Sequence, residues 1–143
     1  MPEKNSKVLV IDDDFTNFGI LENHLRKINL ETICTTDHLK GFDIAVNCSP
    51  DIILLNAAMP RIKGIEMFEI FKSDSRTSFI PVIFIFTKDK SFGQIPEHQQ
   101  GAFDYITKPF DFDELEIRIK VMLKLNEFQQ RNLILSNNDE LTG

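Results

Sequence analysis

Short apolar runs alternate with stretches of helical spacing along the whole chain. KVLVI at 7–11 is a brief β-rich run followed by a polar cluster. Behind it, Phe18, Leu21, Leu25 and Ile28 recur at the spacing of one helix face, predicting a helix over 15–28. ETICTT at 31–36 predicts a strand and HLKGFDIAVN at 38–47 a short helix. DIILL at 51–55 carries the continuous apolar run Ile52 to Leu55, as expected of a strand covered on both faces. GIEMFEIFKS at 64–73 predicts a helix, PVIFIFT at 81–87 a strongly β-like strand and AFDYI at 102–106 a fifth strand. Within 91–100, Pro96 permits only a short or late-starting helix, because proline lacks the N–H that a helix interior needs. A long final helix is expected over 111–135. Five strands alternating with five helices predict an α/β fold, a doubly wound parallel sheet with helices on both faces. Right-handed crossovers leave few topologies for it.

In such a sheet the functional crevice lies at the carboxyl ends of the strands. Asp12, Asp13 and Asp14 follow the first strand there, and Asn56, Ala57 and Ala58 the third. Thr87 and Lys88 follow the fourth, and Thr107, Lys108 and Pro109 the fifth. Acidic groups, a hydroxyl and a lysine thus converge on one edge, the layout of a divalent-cation site beside a phosphoryl site.

Composition narrows the setting. A chain of 143 residues fits one domain with a sizeable core. Sixteen basic against 22 acidic residues, a net charge of −6, argue against a nucleic-acid-binding surface in this segment. No apolar run is long enough to span a bilayer, and MPEKNSK has no apolar stretch behind its lysines, so a cytoplasmic protein with no membrane partner is expected. Cys34 and Cys48 are then expected as buried thiols rather than a disulfide. His24, His38 and His98 share no motif and read as surface residues. DDDFTN after the first strand is acidic where a phosphate loop would be glycine-rich, which counts against a flavin- or nucleotide-binding enzyme.

Taken together, VLVIDDD, PDIILLNAAMPRIKGIE, FIFT and GAFDYITKPF strongly resemble the receiver domain of two-component response regulators, over roughly 7 to 125. The fold the resemblance implies is flavodoxin-like, a CheY-like (βα)5 arrangement with strand order 2-1-3-4-5 and here an extended carboxyl-terminal helix. Asp12 and Asp13 match the acidic pair that holds Mg²⁺, and Ala58 the position whose backbone carbonyl completes the set. Magnesium prefers oxygen ligands and keeps several waters, so so few protein groups suffice. Thr87 resembles the hydroxyl that bonds a phosphoryl oxygen, and Lys108 the lysine that pairs with another. Tyr105 matches the aromatic switch that turns inward when that hydroxyl moves, and Asn56 falls on the phospho-accepting aspartate. The partner implied is a sensor histidine kinase, if an acceptor is restored, and no enzymatic activity is expected of this chain itself.

Asn56 breaks the pattern. Forming an acyl phosphate requires an ionised carboxylate as nucleophile, and a neutral amide cannot supply one. Losing one negative charge should also weaken Mg²⁺ binding, although an amide oxygen can still ligate. Lys88 stands where the family usually has a small residue, and 94–100 suggests an irregular fourth helix. Two readings follow: a phosphorylation-independent pseudo-receiver that binds a protein or ligand, or an ordinary receiver into which Asn56 was introduced to hold the unphosphorylated state.

Beyond the receiver-like stretch, Val121, Leu125, Phe128, Asn132 and Leu135 step by four and three, a short heptad-like seam that suggests a homodimer. Residues 126–143 are therefore expected to be a helical linker. Asp139 and Leu141-Thr142-Gly143 resemble the opening of a GGDEF diguanylate cyclase domain, which implies an output domain carboxyl-terminal to this chain.

Overall fold

The computed structural model of the chain describes residues 6–57, 64–87 and 104–142. Five strands form one sheet: β1 (Ser6–Ile11), β2 (Leu30–Thr35), β3 (Ile52–Asn56), β4 (Val82–Thr87) and β5 (Asp104–Lys108). All are parallel, in the order β2-β1-β3-β4-β5. The connecting helices are α1 (Phe18–Lys27), α2 (His38–Cys48), α3 (Gly64–Ser73) and α4 (Phe112–Thr142). The fourth expected helix, within 91–100, lies outside the described residues.

Alternation along each strand divides the core in two. Val8, Val10, Ile52, Leu54, Ile83, Ile85 and Ile106 meet Leu21 and Leu25 of α1 and Leu115 and Ile119 of α4 on one face. Leu9, Ile11, Ile53, Leu55, Phe84 and Phe86 meet Ala45 of α2 and Met67 and Phe71 of α3 on the other. The strand Ile52–Asn56 is buried throughout, as the continuous apolar run Ile52 to Leu55 requires.

Three elements differ from the sequence expectation by more than one residue. The helix predicted over 15–28 is split, with Phe15–Asn17 a 3-10 turn. Asp14 causes this by accepting from both the Thr16 N–H at 3.1 Å and the Thr16 hydroxyl at 2.6 Å, a local bond that competes with α-helix geometry. The fifth strand ends two residues later than predicted, because Thr107 and Lys108 pair with Phe86 and Thr87. The strand ends the sheet order, so it is not apolar throughout and its polar residues do not mark its end. The final helix runs 31 residues, about 46 Å at 1.5 Å per residue, and ends at Thr142 rather than at the expected 135. Cys48 is exposed and Cys34 half-buried, so the expectation of two buried thiols fails for Cys48, whose place in the last turn of α2 faces outward. Neither forms a disulfide.

Candidate functional site

The site is built where β1 stops. Four buried apolar residues, Val8 to Ile11, carry the chain to the sheet's carboxyl edge, and Asp12 follows with its N–H bonded to the Thr35 carbonyl of β2 at 3.1 Å. This backbone bond draws a carboxylate into the fold. Asp12 Oδ1 accepts from the Asp14 N–H at 3.0 Å and from Asn56 Nδ2 at 2.7 Å. Its Oδ2 lies 2.6 Å from Lys108 Nζ, with the two side chains 3% and 12% exposed.

Asn56 is the last residue of β3, buried at 6% exposure. Nδ2 has two hydrogens and divides them, one toward Asp12 Oδ1 and one toward Asp13 Oδ1 at 3.0 Å. The amide thereby bridges two carboxylates that would otherwise only repel. Behind it, the Ala57 N–H bonds Ile85 of β4, and the Gly64 N–H that opens α3 bonds the Ala57 carbonyl, both at 2.9 Å. A Cβ on Gly64 would stand 2.4 Å from the Ala57 Cα, so only glycine lets the start of α3 approach the strand end this closely.

The carboxylates differ in their electrostatics. Burial, then the charge of Asp12 beside it, raises the Asp13 carboxyl above the ordinary range, despite the opposing pull of Lys108. Hydrogen bonds from Thr16 lower that of Asp14, which lies 4.0 Å from Lys108 at the rim. The strand end therefore holds one buried carboxylate, Asp12, and one exposed carboxylate, Asp13, beside a single ammonium.

Lys108 reaches Asp12 from the end of β5, directly before a cis peptide bond to Pro109. Tyr105, half-buried on β5, meets Phe86 of β4 edge to face, 5.6 Å between centroids and 78° between planes. Thr87 ends β4, with its backbone in register opposite Lys108; its hydroxyl, Ala58 and Lys88 lie outside what the structure describes. Of the predicted site residues, Asp12, Asp13, Asn56 and Lys108 are brought together, and Tyr105 stands farther along β5. His24 is exposed, as expected, but stacks on Phe112 at 3.8 Å, and His38 is half-buried; His98 falls outside the described residues.

One group was not singled out from the sequence. Arg118 of α4 bonds Asp104 of β5, bonds Glu114 at 3.0 Å through Nε, and lies 5.9 Å from the Tyr105 ring centroid. Glu114 and Arg118 at i and i+4 are a legible helix pair, but their closeness to Asp104 and Tyr105 depends on how the helix docks.

Whether the site suits a cation can be judged from its donors. Among the described residues no cluster of three or more His, Cys, Asp or Glu forms a metal site. Two carboxylate oxygens nevertheless point at one Asn56 nitrogen from 2.7 and 3.0 Å, so a small hard cation there would meet oxygen ligands. Two carboxylates and an amide side by side are donors of the kind that Mg²⁺ takes.

The response regulator receiver domain family matches residues 8–120. The chain is 30% identical over 118 residues to the DNA-binding dual master transcriptional regulator RpaA of Synechocystis, 82% of this chain and 49% of that protein. It is 31% identical over 118 residues to protein PilH of Pseudomonas aeruginosa, 82% of this chain and 98% of that one. It spans about half the length of RpaA and of further curated regulators it matches. The receiver domain of sensor histidine kinase PA1611 from Pseudomonas aeruginosa, described with a magnesium ion coordinated in its active site cleft, shares the fold. Its TM-score is 0.74 at 20% identity, covering 85% of this chain and 99% of that one.

Proposed function

The chain belongs to the response regulator receiver domain family, and on that premise we propose that it controls a carboxyl-terminal output through α4 without accepting a phosphoryl group at the usual residue. It is the receiver domain of a response regulator in two-component signalling. The observation that carries the finer reading is the position of Asn56, buried and bonded to both Asp12 and Asp13 at the carboxyl edge. The resemblance to receivers assigns their acceptor carboxylate to this strand end, which supports the reading.

Each neighbouring group then has a role. Asp12 and Asp13, with Asn56 and the Ala58 carbonyl, would hold Mg²⁺, which supplies charge neutralisation for an anionic ligand. Lys108 and Thr87 would bond phosphoryl oxygens, and Tyr105 would report their occupancy. An amide lacks the anionic oxygen that must attack phosphorus, so the pocket can gather a phosphoryl donor yet cannot form the acyl phosphate. Meanwhile the Asn56 N–H groups take part of the cation's place by bonding both carboxylates.

Output would pass through α4. Leu115 and Ile119 anchor its first turns in the core, while Ile117, Val121 and Leu125 are exposed along it. A helix of this length cannot rest on propensity alone, so its distal part calls for a partner. A second copy meeting it along Val121, Leu125, Phe128, Asn132 and Leu135 would supply one. The output domain is read as a GGDEF diguanylate cyclase from Asp139 and Leu141-Thr142-Gly143. A DNA-binding output is the second reading, favoured by the likeness to RpaA.

Intact mass of the chain and of Asn56→Asp, each incubated with Mg²⁺ and acetyl phosphate, tests the proposal. The variant is expected to gain one phosphoryl group and the parent none. A phosphorylated parent, or a variant that stays unmodified, overturns this account of the site. Cyclic di-GMP synthesis against specific DNA retention by the full-length protein separates the two outputs.

A further inference from the structure

Tyr105 and α4 lie on opposite faces of the sheet. The Tyr105 ring packs with Phe86 in the core formed with α2 and α3, whereas Leu115 and Ile119 of α4 are buried in the other core. A ring movement on one face therefore has no direct packing route to the helix. β5 closes the sheet order, so the shortest route is around its edge. Arg118 stands there.

We propose that Arg118 is the positioning residue that carries the state of Tyr105 around the edge of β5 to the last helix. Its guanidinium bonds Asp104, the residue next to Tyr105 on β5, and Glu114, one turn earlier on α4. The planar fork spans strand and helix at once, a geometry that an ammonium on a flexible stem does not reproduce. The same cation lies 5.9 Å from the Tyr105 ring centroid, within the range of attraction between a cation and an aromatic face. With the ring in place, the fork is held on three sides and the start of α4 is tied to the strand. If the ring withdraws, the guanidinium loses one of those sides, and Glu114 can pull it toward the helix.

The inference rests on the reading of Tyr105 as the switch, but its first test does not require phosphorylation. Hydrogen exchange of the α4 amides is measured in the full chain for Tyr105→Leu, Arg118→Gln and the double variant. Each single variant is expected to speed exchange roughly threefold or more, with the double no faster than the larger single, the mark of groups acting through one contact. Effects that multiply overturn the proposal. Tyr105→Phe keeps an aromatic face and should match the parent, so a fold weakened by leucine does not obscure the result. Arg118→Lys keeps the charge but not the fork; exchange at the parent's rate would mean that charge alone suffices, and would also overturn it.

The second arm uses Asn56→Asp with Mg²⁺ and acetyl phosphate. Tyr105 is the only tyrosine and there is no tryptophan, so intrinsic emission reports this ring alone. Adding Arg118→Gln should leave the emission change intact while abolishing the accompanying change in α4 exchange. An α4 response that survives Arg118→Gln sinks the proposal. An Asn56→Asp chain that gains no phosphoryl mass instead sinks the reading of the site, and the exchange cycle still decides the role of Arg118.

Discussion

Two ion-pair networks occupy opposite ends of β5 and differ in kind. At the carboxyl end, Lys108 meets Asp12 with side chains 12% and 3% exposed, and Asn56 completes the group. At the amino end, Arg118 meets Asp104 with side chains 34% and 23% exposed, and Glu114 completes it. The first holds charges where water cannot solvate them, so each member depends on the others and the geometry is fixed by desolvation. In the second, water remains an alternative partner, so the contact is weaker and easily exchanged. A receptor for a cation and an anion needs the first property. A relay that must change state needs the second.

Removing one partner from each network should separate them most clearly. Lys108→Met leaves Asp12 buried beside Asp13 without its ammonium, and should cost about 3 kcal/mol or more of unfolding free energy in urea titration. A loss below about 1 kcal/mol would mean that the pair is effectively solvated and the contrast is false.

Asn56→Asp strikes the same network from the other side. It deletes two donated hydrogen bonds and adds a third carboxylate, which should destabilise the Mg²⁺-free chain by about 1–3 kcal/mol. Millimolar Mg²⁺ should restore the loss by binding the folded state, seen as a rise in Tm that the parent shows only weakly.

Arg118→Gln should cost at most about 1 kcal/mol, because its pairs are partly hydrated. Urea denaturation at low and high salt checks this: the difference between parent and variant should shrink with salt, whereas that for Lys108→Met should persist.

The smallest effect concerns two aspartates of opposite behaviour, compared in Mg²⁺-free buffer by Tm against pH. Asp13 has a raised carboxyl pKa, so its contribution is greatest when protonated and is lost as pH rises through the folded-state value. Asp13→Asn should therefore raise Tm at pH 7 and change little near pH 3. Asp37 caps α2 by accepting from the Leu39 N–H at 2.8 Å, which lowers its pKa. Its contribution is present above the ordinary carboxylate range and lost as pH falls through the lowered value. Asp37→Ala should thus lower Tm at pH 7, with the deficit closing in acid.

Much of this was legible in the chain. Continuous apolarity in DIILL and FIFT marks strands covered on both faces, and Phe18, Leu21, Leu25 and Ile28 mark a helix face, because burial acts on local periodicity. The expected helix over 64–73 coincides with α3. Less legible was β5, since a strand closing a sheet tolerates polar residues and its end is set by pairing with β4. The 3-10 turn at Phe15–Asn17 was missed because a single side-chain bond from Asp14 outweighs the weak preference of three residues.

The same division runs through the functional residues. Sequence alone determined which chemistry is available: Asp12 and Asp13 at one strand end, an amide at Asn56 that cannot act as a nucleophile, and Lys108 before a proline. Those properties belong to residue types and their order. Tertiary structure decided that the Asn56 nitrogen is shared by two carboxylates, that Lys108 pairs with Asp12 rather than Asp13, and that Arg118 reaches Tyr105 around an edge. Such choices depend on distances between segments far apart in the chain, and on which charges the fold removes from water. Neither is written in any local pattern.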